Sequence, residues 1–215
     1  LVTGGSRGIG SAICGYFKQQ GITVINPRRN ELDLSNPSKI KDYLDSIDDL
    51  HIIVNNAGIN ILTDIGTTSL DEISNTFNVN FFSPYIIVSH FLDKFKDQNY
   101  GRVVNISSIL GSYSKNARST YSSSKAALHS FTKSIVTETK GFNILSNTIS
   151  PGYIDTDLTY QNNNAEQLVK LIDEVPVKKL GQPVEIAKWV HRLTVENEYI
   201  NGQEIVIDGG LTCTI

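Results

Sequence analysis

The stretch that decides the fold is Thr3-Gly4-Gly5-Ser6-Arg7-Gly8-Ile9-Gly10, which lies between an apolar strand end and a helical pattern over residues 9–20. Glycines in such a turn let the backbone bend tightly and approach a pyrophosphate, and the helix that follows offers free N–H groups to the phosphates. The spacing is Gly-x-x-x-Gly-x-Gly rather than Gly-x-Gly-x-x-Gly. The stretch therefore predicts a dinucleotide-binding turn, and an ordinary strand–helix turn is the alternative.

Outward from this turn, apolar runs suited to buried strands alternate with longer helical patterns. We expect strands at 23–25, 51–54, 102–106, 144–149 and 204–207, and helices near 9–20, 37–47, 69–96, 121–140 and 183–195. This alternation predicts an α/β fold of the Rossmann type, with a doubly wound parallel sheet. The 215 residues are 40% hydrophobic, enough for one sizeable core, so we expect residues 1–215 to form a single domain.

One crossover is too short for a helix. After the strand that ends near Asn26, the apolar segment Leu32-Asp33-Leu34 follows within about six residues, whereas a parallel crossover needs about a dozen. We therefore expect a peripheral strand–helix element to be shortened or lost, leaving six parallel strands. The chain contains no Met and opens directly on apolar residues, so we also expect the start of the first strand to be missing.

Composition argues against several classes of function. The net charge is −3, no basic run is interleaved with aromatic residues, and no apolar run approaches a membrane span. Cys14 and Cys213 make neither a disulfide framework nor a metal-ligand spacing, and the four histidines are scattered. We expect a cytoplasmic protein with no metal site, no nucleic-acid partner and no membrane segment.

The segment after the 23–25 strand bears on cofactor choice. Folds of this type that use NAD place an acidic residue there to hold the ribose hydroxyls. Here the segment reads Asn26-Pro27-Arg28-Arg29, and Arg7 lies within the glycine turn. Guanidinium groups bind phosphates in bidentate fashion, so these arginines favour NADP over NAD. The alternative is that they are solvated charges on a surface loop.

A second group of residues suits proton transfer. Tyr121 and Lys125 are four residues apart on a predicted helix, so they share one face. A free tyrosine has a pKa near 10, and a nearby ammonium lowers that value toward the useful range. Ser108 follows the 102–106 strand, where its hydroxyl could stabilise charge on a substrate oxygen. Taken alone, the Tyr–Lys pair is more typical of a half-buried aromatic beside a lysine stem.

Together these segments resemble the short-chain dehydrogenases/reductases, of the 3-oxoacyl-carrier-protein-reductase-like kind. The resemblance runs nearly from end to end. Its motifs are Thr3-Gly4-x-x-x-Gly8-Ile9-Gly10, Asn55-Asn56-Ala57-Gly58, Val79-Asn80, Ile106-Ser107-Ser108, Tyr121-x-x-x-Lys125, Pro151-Gly152-x-Ile154-x-Thr156 and Asn201-Gly202-Gln203-Glu204 through Asp208-Gly209-Gly210.

The resemblance implies a role for each matching residue. Tyr121 is the implied acid in reduction and base in oxidation, Lys125 holds the nicotinamide ribose, and Ser108 orients the carbonyl. Asn80 is implied to hold a water in a proton relay, and Asn55 to steady the central strands. Residues 159–179 are the implied substrate lid. The implied cofactor-binding residues are Gly4, Ser6, Arg7, Gly8, Ile9, Gly10, Arg28, Arg29, Asp33, Leu34, Asn56, Ala57, Gly58, Tyr121, Lys125, Pro151, Gly152, Ile154 and Thr156.

The prediction is an oxidoreductase that uses NADP(H) to interconvert a small-molecule carbonyl and a secondary alcohol. An NAD-dependent alcohol dehydrogenase is one alternative. A sugar-nucleotide epimerase or dehydratase is a second, although the chain is short for one. A catalytically idle nucleotide-binding protein of this fold is a third. The helices at 69–96 and 121–140 have mixed apolar faces that would suit a homotetramer or homodimer, as is usual in the family.

Overall fold

A computed structural model describes residues 1–214 of the chain, and its centre is a parallel β-sheet. The four strands are β1 (Ile52–Asn55), β2 (Gly101–Ile106), β3 (Ile144–Pro151) and β4 (Glu204–Ile207), hydrogen-bonded in that order. All three pairings are parallel. The predicted Rossmann-type α/β fold is confirmed.

The sheet has four regular strands, so the prediction of six is wrong. The difference lies at the edge beside β1. Val2 makes an isolated parallel bridge to Val54, and its N–H donates to Ile25 O at 2.8 Å. Residues 22–26 therefore lie next in order, but they form no regular ladder. The prediction of a strand at 23–25 is wrong in this respect, because the segment has only this short neighbour to pair with. No helix occurs between residues 26 and 36, so the prediction of a lost crossover helix is confirmed.

The helices follow the predicted order with altered bounds. They are α1 (Gly8–Gln19), α2 (Ile40–Leu44), α3 (Leu70–Phe77), α4 (Ser83–Asp97), α5 (Ser119–Glu138), α6 (Asp157–Gln161), α7 (Ala165–Glu174) and α8 (Pro183–His191). The single helix predicted over 69–96 is two helices joined by a π turn, Asn78–Phe82, and a second π turn, Arg192–Glu196, follows α8. Single π turns inside helices often occur at functional sites.

Two hydrophobic clusters cover the two faces of the sheet, as a doubly wound fold requires. Successive strand residues point to opposite faces, so Ile53 and Val103 join one cluster while Val54 and Val104 join the other. The first cluster contains side chains of α2, α4 and α5, and the second contains side chains of α1 and α8. Between residues 1 and 214, no helix combines the length and apolar character that crossing a bilayer requires.

Candidate active site

A cavity of about 480 Å³ opens where the strands end. β1 ends at Asn55, β2 at Ile106 and β3 at Pro151, and the residues that follow each of these ends line the cavity. Ligands of open α/β sheets bind in this position, outside the carboxyl ends of the strands. We call this cavity the cleft.

The cleft gathers nearly all of the predicted site residues. Arg28 is the one predicted cofactor residue that does not line it, and the predicted catalytic residue Asn80 lies behind its wall. The predicted residues that do line it are Gly4, Ser6, Arg7, Gly8, Ile9, Gly10, Arg29, Asp33, Leu34, Asn56, Ala57, Gly58, Ser108, Tyr121, Lys125, Pro151, Gly152, Ile154 and Thr156.

The glycine turn is held in shape by its neighbours. Gly4 and Gly8 have φ angles of 65° and 52°, in the left-handed region that glycine adopts without steric cost. The Asn56 side-chain amide donates to Thr3 O at 3.0 Å and to Gly4 O at 3.2 Å. A Cβ added at Gly10 would overlap Gly4 O and Asn56 Nδ2. The turn and the N-terminus of α1 therefore form a compact surface suited to a pyrophosphate.

The end of the cleft beside residues 27–35 carries both signs of charge. Arg29 lines the cleft, and its Nε lies 3.7 Å from Asp33 Oδ1. The hydroxyl and backbone N–H of Ser35 both donate to Asp33, and these hydrogen bonds hold the pKa of Asp33 below its usual value. The backbone N–H of Arg28 donates to Glu31. Of the two arginines predicted to favour NADP, Arg29 lines the cleft and Arg28 does not.

Tyr121 and Lys125 lie together on the lining of the cleft, beside the end of β2. They are one turn apart on α5, and Lys125 Nζ is 5.8 Å from the centre of the Tyr121 ring. The Lys125 ammonium donates to Ile106 O at 2.8 Å. A Cβ added at Gly58 would lie 3.2 Å from that nitrogen, so glycine there keeps the space beside the ammonium free. Burial lowers the pKa of Lys125 to about 8.

The pKa of Tyr121 differs from the prediction. Burial raises it, while hydrogen bonding to the Ser108 hydroxyl and the positive charge of Arg118 oppose that rise. Lys125 is not among the groups that shift this pKa; its ammonium donates to Ile106 O, and no hydrogen bond joins it to the Tyr121 hydroxyl in residues 1–214. In the protein alone, the phenol of Tyr121 therefore keeps its proton at neutral pH.

Asn80 lies in the π turn and is completely buried. Its side chain accepts from Ile59 N at 2.9 Å, and it donates to Ile59 O and to Ser124 Oγ, each at 3.0 Å. Asn80 thereby joins the loop after β1 to the part of α5 that carries Lys125. A direct bond from the Asn80 side chain to Lys125 is not among its contacts in residues 1–214.

A polar network behind Lys125 was not predicted from the sequence, in which the four histidines are scattered. His129 Nε2 is 2.7 Å from Ser107 Oγ, and Ser107 donates to Lys125 O at 3.0 Å. On its other side, His129 Nδ1 lies 3.5 Å from Glu204, which also accepts from Ser150 at 2.6 Å. The network ties α5 to three strands, and no local pattern links residues so far apart in the chain.

The comparison that decides the family is with a sequence profile described as enoyl-(acyl carrier protein) reductase, which residues 4–212 match. The chain belongs to the short-chain dehydrogenase/reductase family.

Individual members of the family cover nearly the whole chain. The 3-oxoacyl-[acyl-carrier-protein] reductase FabG of Vibrio cholerae is 32% identical over 234 residues, 98% of this chain and 96% of its own. The cyclopentanol dehydrogenase of Comamonas testosteroni is 30% identical over 239 residues, 99% of this chain and 96% of its own. A solved 4-hydroxyisoleucine dehydrogenase complexed with NADH has a TM-score of 0.92 and 28% identity, covering 99% of this chain and 97% of that one.

As a short-chain dehydrogenase/reductase, the protein is an oxidoreductase of carbonyl and alcohol groups that binds a nicotinamide dinucleotide. The relatives differ widely in the substrates that their names give: an acyl thioester, a cyclic alcohol and a hydroxylated amino acid. Family membership therefore leaves the substrate open.

The buried ammonium of Lys125 predicts a pH dependence of stability. Its pKa is about 8 in the folded protein, against 10.5 for an exposed lysine, so between these values the unfolded chain binds more protons and folding stability rises with pH. Below about pH 8 we expect Lys125→Met to be more stable than the wild type by about 3 kcal/mol. Above about pH 10.5 the gain should vanish. Urea unfolding of both proteins at several pH values measures this difference in stability. The control is Lys140→Met, which removes an exposed lysine. A gain that does not change with pH would contradict the prediction.

Proposed function

We propose that the protein uses NADP(H) to interconvert a carbonyl compound and a secondary alcohol, with Tyr121 as the general acid or base. The observation that carries this proposal is the meeting of Ser108, Tyr121 and Lys125 at one end of a cleft whose opposite wall is the glycine turn. A proton donor and a dinucleotide cradle then face one cavity. Reduction needs both, because it adds a hydride and a proton to one carbonyl group.

The cleft fits the cofactor along its length. The Gly4–Gly10 turn would hold the pyrophosphate, Asp33 and Leu34 would lie against the adenine, and residues 56–58 would lie beside the dinucleotide. The positions after β3, namely Pro151, Gly152, Ile154 and Thr156, would contact the nicotinamide end. The Lys125 ammonium, with free space beside Gly58, would hold the ribose. When bound, the nicotinamide supplies or accepts the hydride.

The protein's own residues would manage the proton. In reduction, the Tyr121 phenol donates its proton to the carbonyl oxygen while the Ser108 hydroxyl donates a hydrogen bond to the same oxygen. Burial raises the pKa of Tyr121, which keeps that proton in place at neutral pH. The same shift disfavours the phenolate that oxidation would need as a base.

Arg29 supports NADP as the cofactor, because it brings a guanidinium to the adenine end of the cleft. We expect NADPH to bind at least tenfold more tightly than NADH, a margin of about 1.4 kcal/mol. Arg29→Asp should abolish that margin, whereas Arg28→Asp, the matched change next to it, should reduce it less. Fluorescence titration with both cofactors measures this.

The alternative is an NAD-dependent alcohol dehydrogenase, and Asp33 favours it. This carboxylate lines the cleft and lies within ion-pairing distance of Arg29, so it could hold ribose hydroxyls while neutralising the arginine. Equal or tighter binding of NADH in the same titration would support this alternative. Alcohols with NAD would then be the substrates to screen.

A homo-oligomer formed through α4 and α5 is a further part of the proposal. Phe81 and Phe82, in the π turn before α4, form an aromatic cluster with Tyr85 of α4 and Phe131 of α5. Phe82 and Tyr85 are 45% and 50% exposed, a degree of exposure that association would relieve. Light scattering that gave the mass of one chain would contradict this part.

A further inference from the structure

The reacting end of the cleft carries a cation that the proposed reaction does not use. Arg118 lines the cleft three residues before Tyr121, and its Nη1 is buried with no hydrogen-bond partner in residues 1–214. In that part of the chain, the arginines that form ion pairs are Arg29 and Arg192. Arg118 is therefore a partly buried charge without a carboxylate.

The local backbone holds Arg118 in this position. It occupies the N-cap of α5 without making a side-chain cap, where the helix dipole adds further positive potential. The residue before it, Ala117, has a φ of 58°, a left-handed conformation that costs a non-glycine residue about 1 kcal/mol or more. Strain of this kind persists where the surrounding structure imposes it.

Beside Tyr121, two cations lack a carboxylate partner in residues 1–214: Lys125, which donates to Ile106 O and is assigned to the ribose under the proposed function, and Arg118. Lys115 also lines this end, but Glu174 neutralises it at 3.2 Å. Asp157 also lines the cleft, but no ion pair joins it to Arg118 in residues 1–214. Burial lowers the pKa of Arg118, which reflects the cost of desolvating a guanidinium that has no anionic partner.

We propose that Arg118 binds a carboxylate of the substrate, so that the substrate is an oxo acid reduced to the corresponding hydroxy acid. This inference rests on the proposed function and specifies its substrate class. A planar guanidinium matches a carboxylate in geometry, and with Lys125 assigned to the ribose, the one charge that Arg118 adds suits a monoanion. Because Arg118 lies three residues before Tyr121, the carboxylate would be within a few carbons of the carbonyl.

The reaction balances with the groups already named. The carbonyl carbon gains a hydride from the nicotinamide, and its oxygen gains the proton of Tyr121. The carbon–oxygen double bond becomes a single bond as the cofactor is oxidised. The carboxylate is unchanged and serves only to orient the acid.

The test compares each acid with its neutral ester. Pyruvate, acetoacetate and levulinate, and their methyl esters, are assayed with the cofactor that binds more tightly. We expect at least one acid to exceed its ester at least tenfold in kcat/KM. Arg118→Gln should lower that ratio at least tenfold, and Arg118→Lys, which keeps the charge, should lower it less. Arg192→Gln is the control, because it removes an exposed arginine outside the cleft.

A binding measurement supplies a readout that does not depend on turnover. Butyrate, which has no carbonyl to reduce, is titrated into the protein with its reduced cofactor and followed by cofactor fluorescence. We expect Arg118→Gln to weaken butyrate at least tenfold while cofactor affinity stays within about twofold. If the Arg118→Gln variant fails to fold, the proposal is tested by the Arg118→Lys variant and by the acid-to-ester ratios of the wild type.

The outcomes separate the two proposals. If esters react as well as acids and Arg118→Gln lowers both alike, the carboxylate proposal is overturned and the proposed oxidoreductase function stands. If no carbonyl compound is reduced and Tyr121→Phe changes nothing, the proposed function fails. Butyrate binding that depends on Arg118 would in that case still support the anion site.

Discussion

Tyr121→Phe should lower kcat by about a thousandfold, the range in which loss of a general acid falls. Only the hydroxyl is removed, and the ring is 8% exposed and well packed, so the fold should remain intact. Cofactor affinity should stay within about twofold, because the change removes a proton donor rather than a phosphate or ribose contact. Steady-state kinetics with the best carbonyl substrate, together with cofactor titration, measure both quantities.

The control for this variant is Tyr199→Phe. Tyr199 is 95% exposed and does not line the cleft, so loss of its hydroxyl should leave kcat unchanged. If Tyr121→Phe kept more than a tenth of the wild-type kcat, the proton would have to come from another group. Water or the Ser108 hydroxyl would then be the first candidate to examine.

Gly10→Ala should disrupt both the fold and cofactor binding. The added Cβ would overlap the Gly4 carbonyl oxygen and the Asn56 amide, and neither can move without opening the glycine turn. Forcing an extra carbon into such a packed site costs about 1–3 kcal/mol or more. We expect a loss of stability in that range in urea unfolding, and weakening of NADPH by about a hundredfold, because the turn would no longer present its N–H groups correctly.

Gly15→Ala, in the same helix, is the matched control. A Cβ added at Gly15 meets no atom within 4 Å, and alanine is the better helix former by about 1 kcal/mol. This variant should be as stable as the wild type or more so, with unchanged cofactor affinity. Equal behaviour of the two variants would show that close packing at Gly10 does not govern the turn.

The parts of the fold that could be predicted are those fixed by local pattern. Alternating strand and helix patterns predict the parallel sheet, and the distance from Asn26 to Leu32 predicts the lost crossover helix, because chain length alone forbids it. The break at Asn78–Phe82 was not predicted. Its sequence, Asn-Val-Asn-Phe-Phe, continues a helical pattern, and the π turn coincides with bonds from Asn80 to a distant loop.

The sequence by itself determined the sheet, the glycine turn and the pairing of Tyr121 with Lys125, because each depends on spacing along a single strand, turn or helix. Only the tertiary structure decided that Lys125 is directed at Ile106 O, that burial raises the pKa of Tyr121, and that His129 lies against Ser107. It also showed that Arg118 lines the cleft with its Nη1 buried and without a hydrogen-bond partner in residues 1–214. Burial, charge and hydrogen bonding depend on which distant segments of the chain come into contact. The spacing of residues within one strand, turn or helix does not predict those contacts.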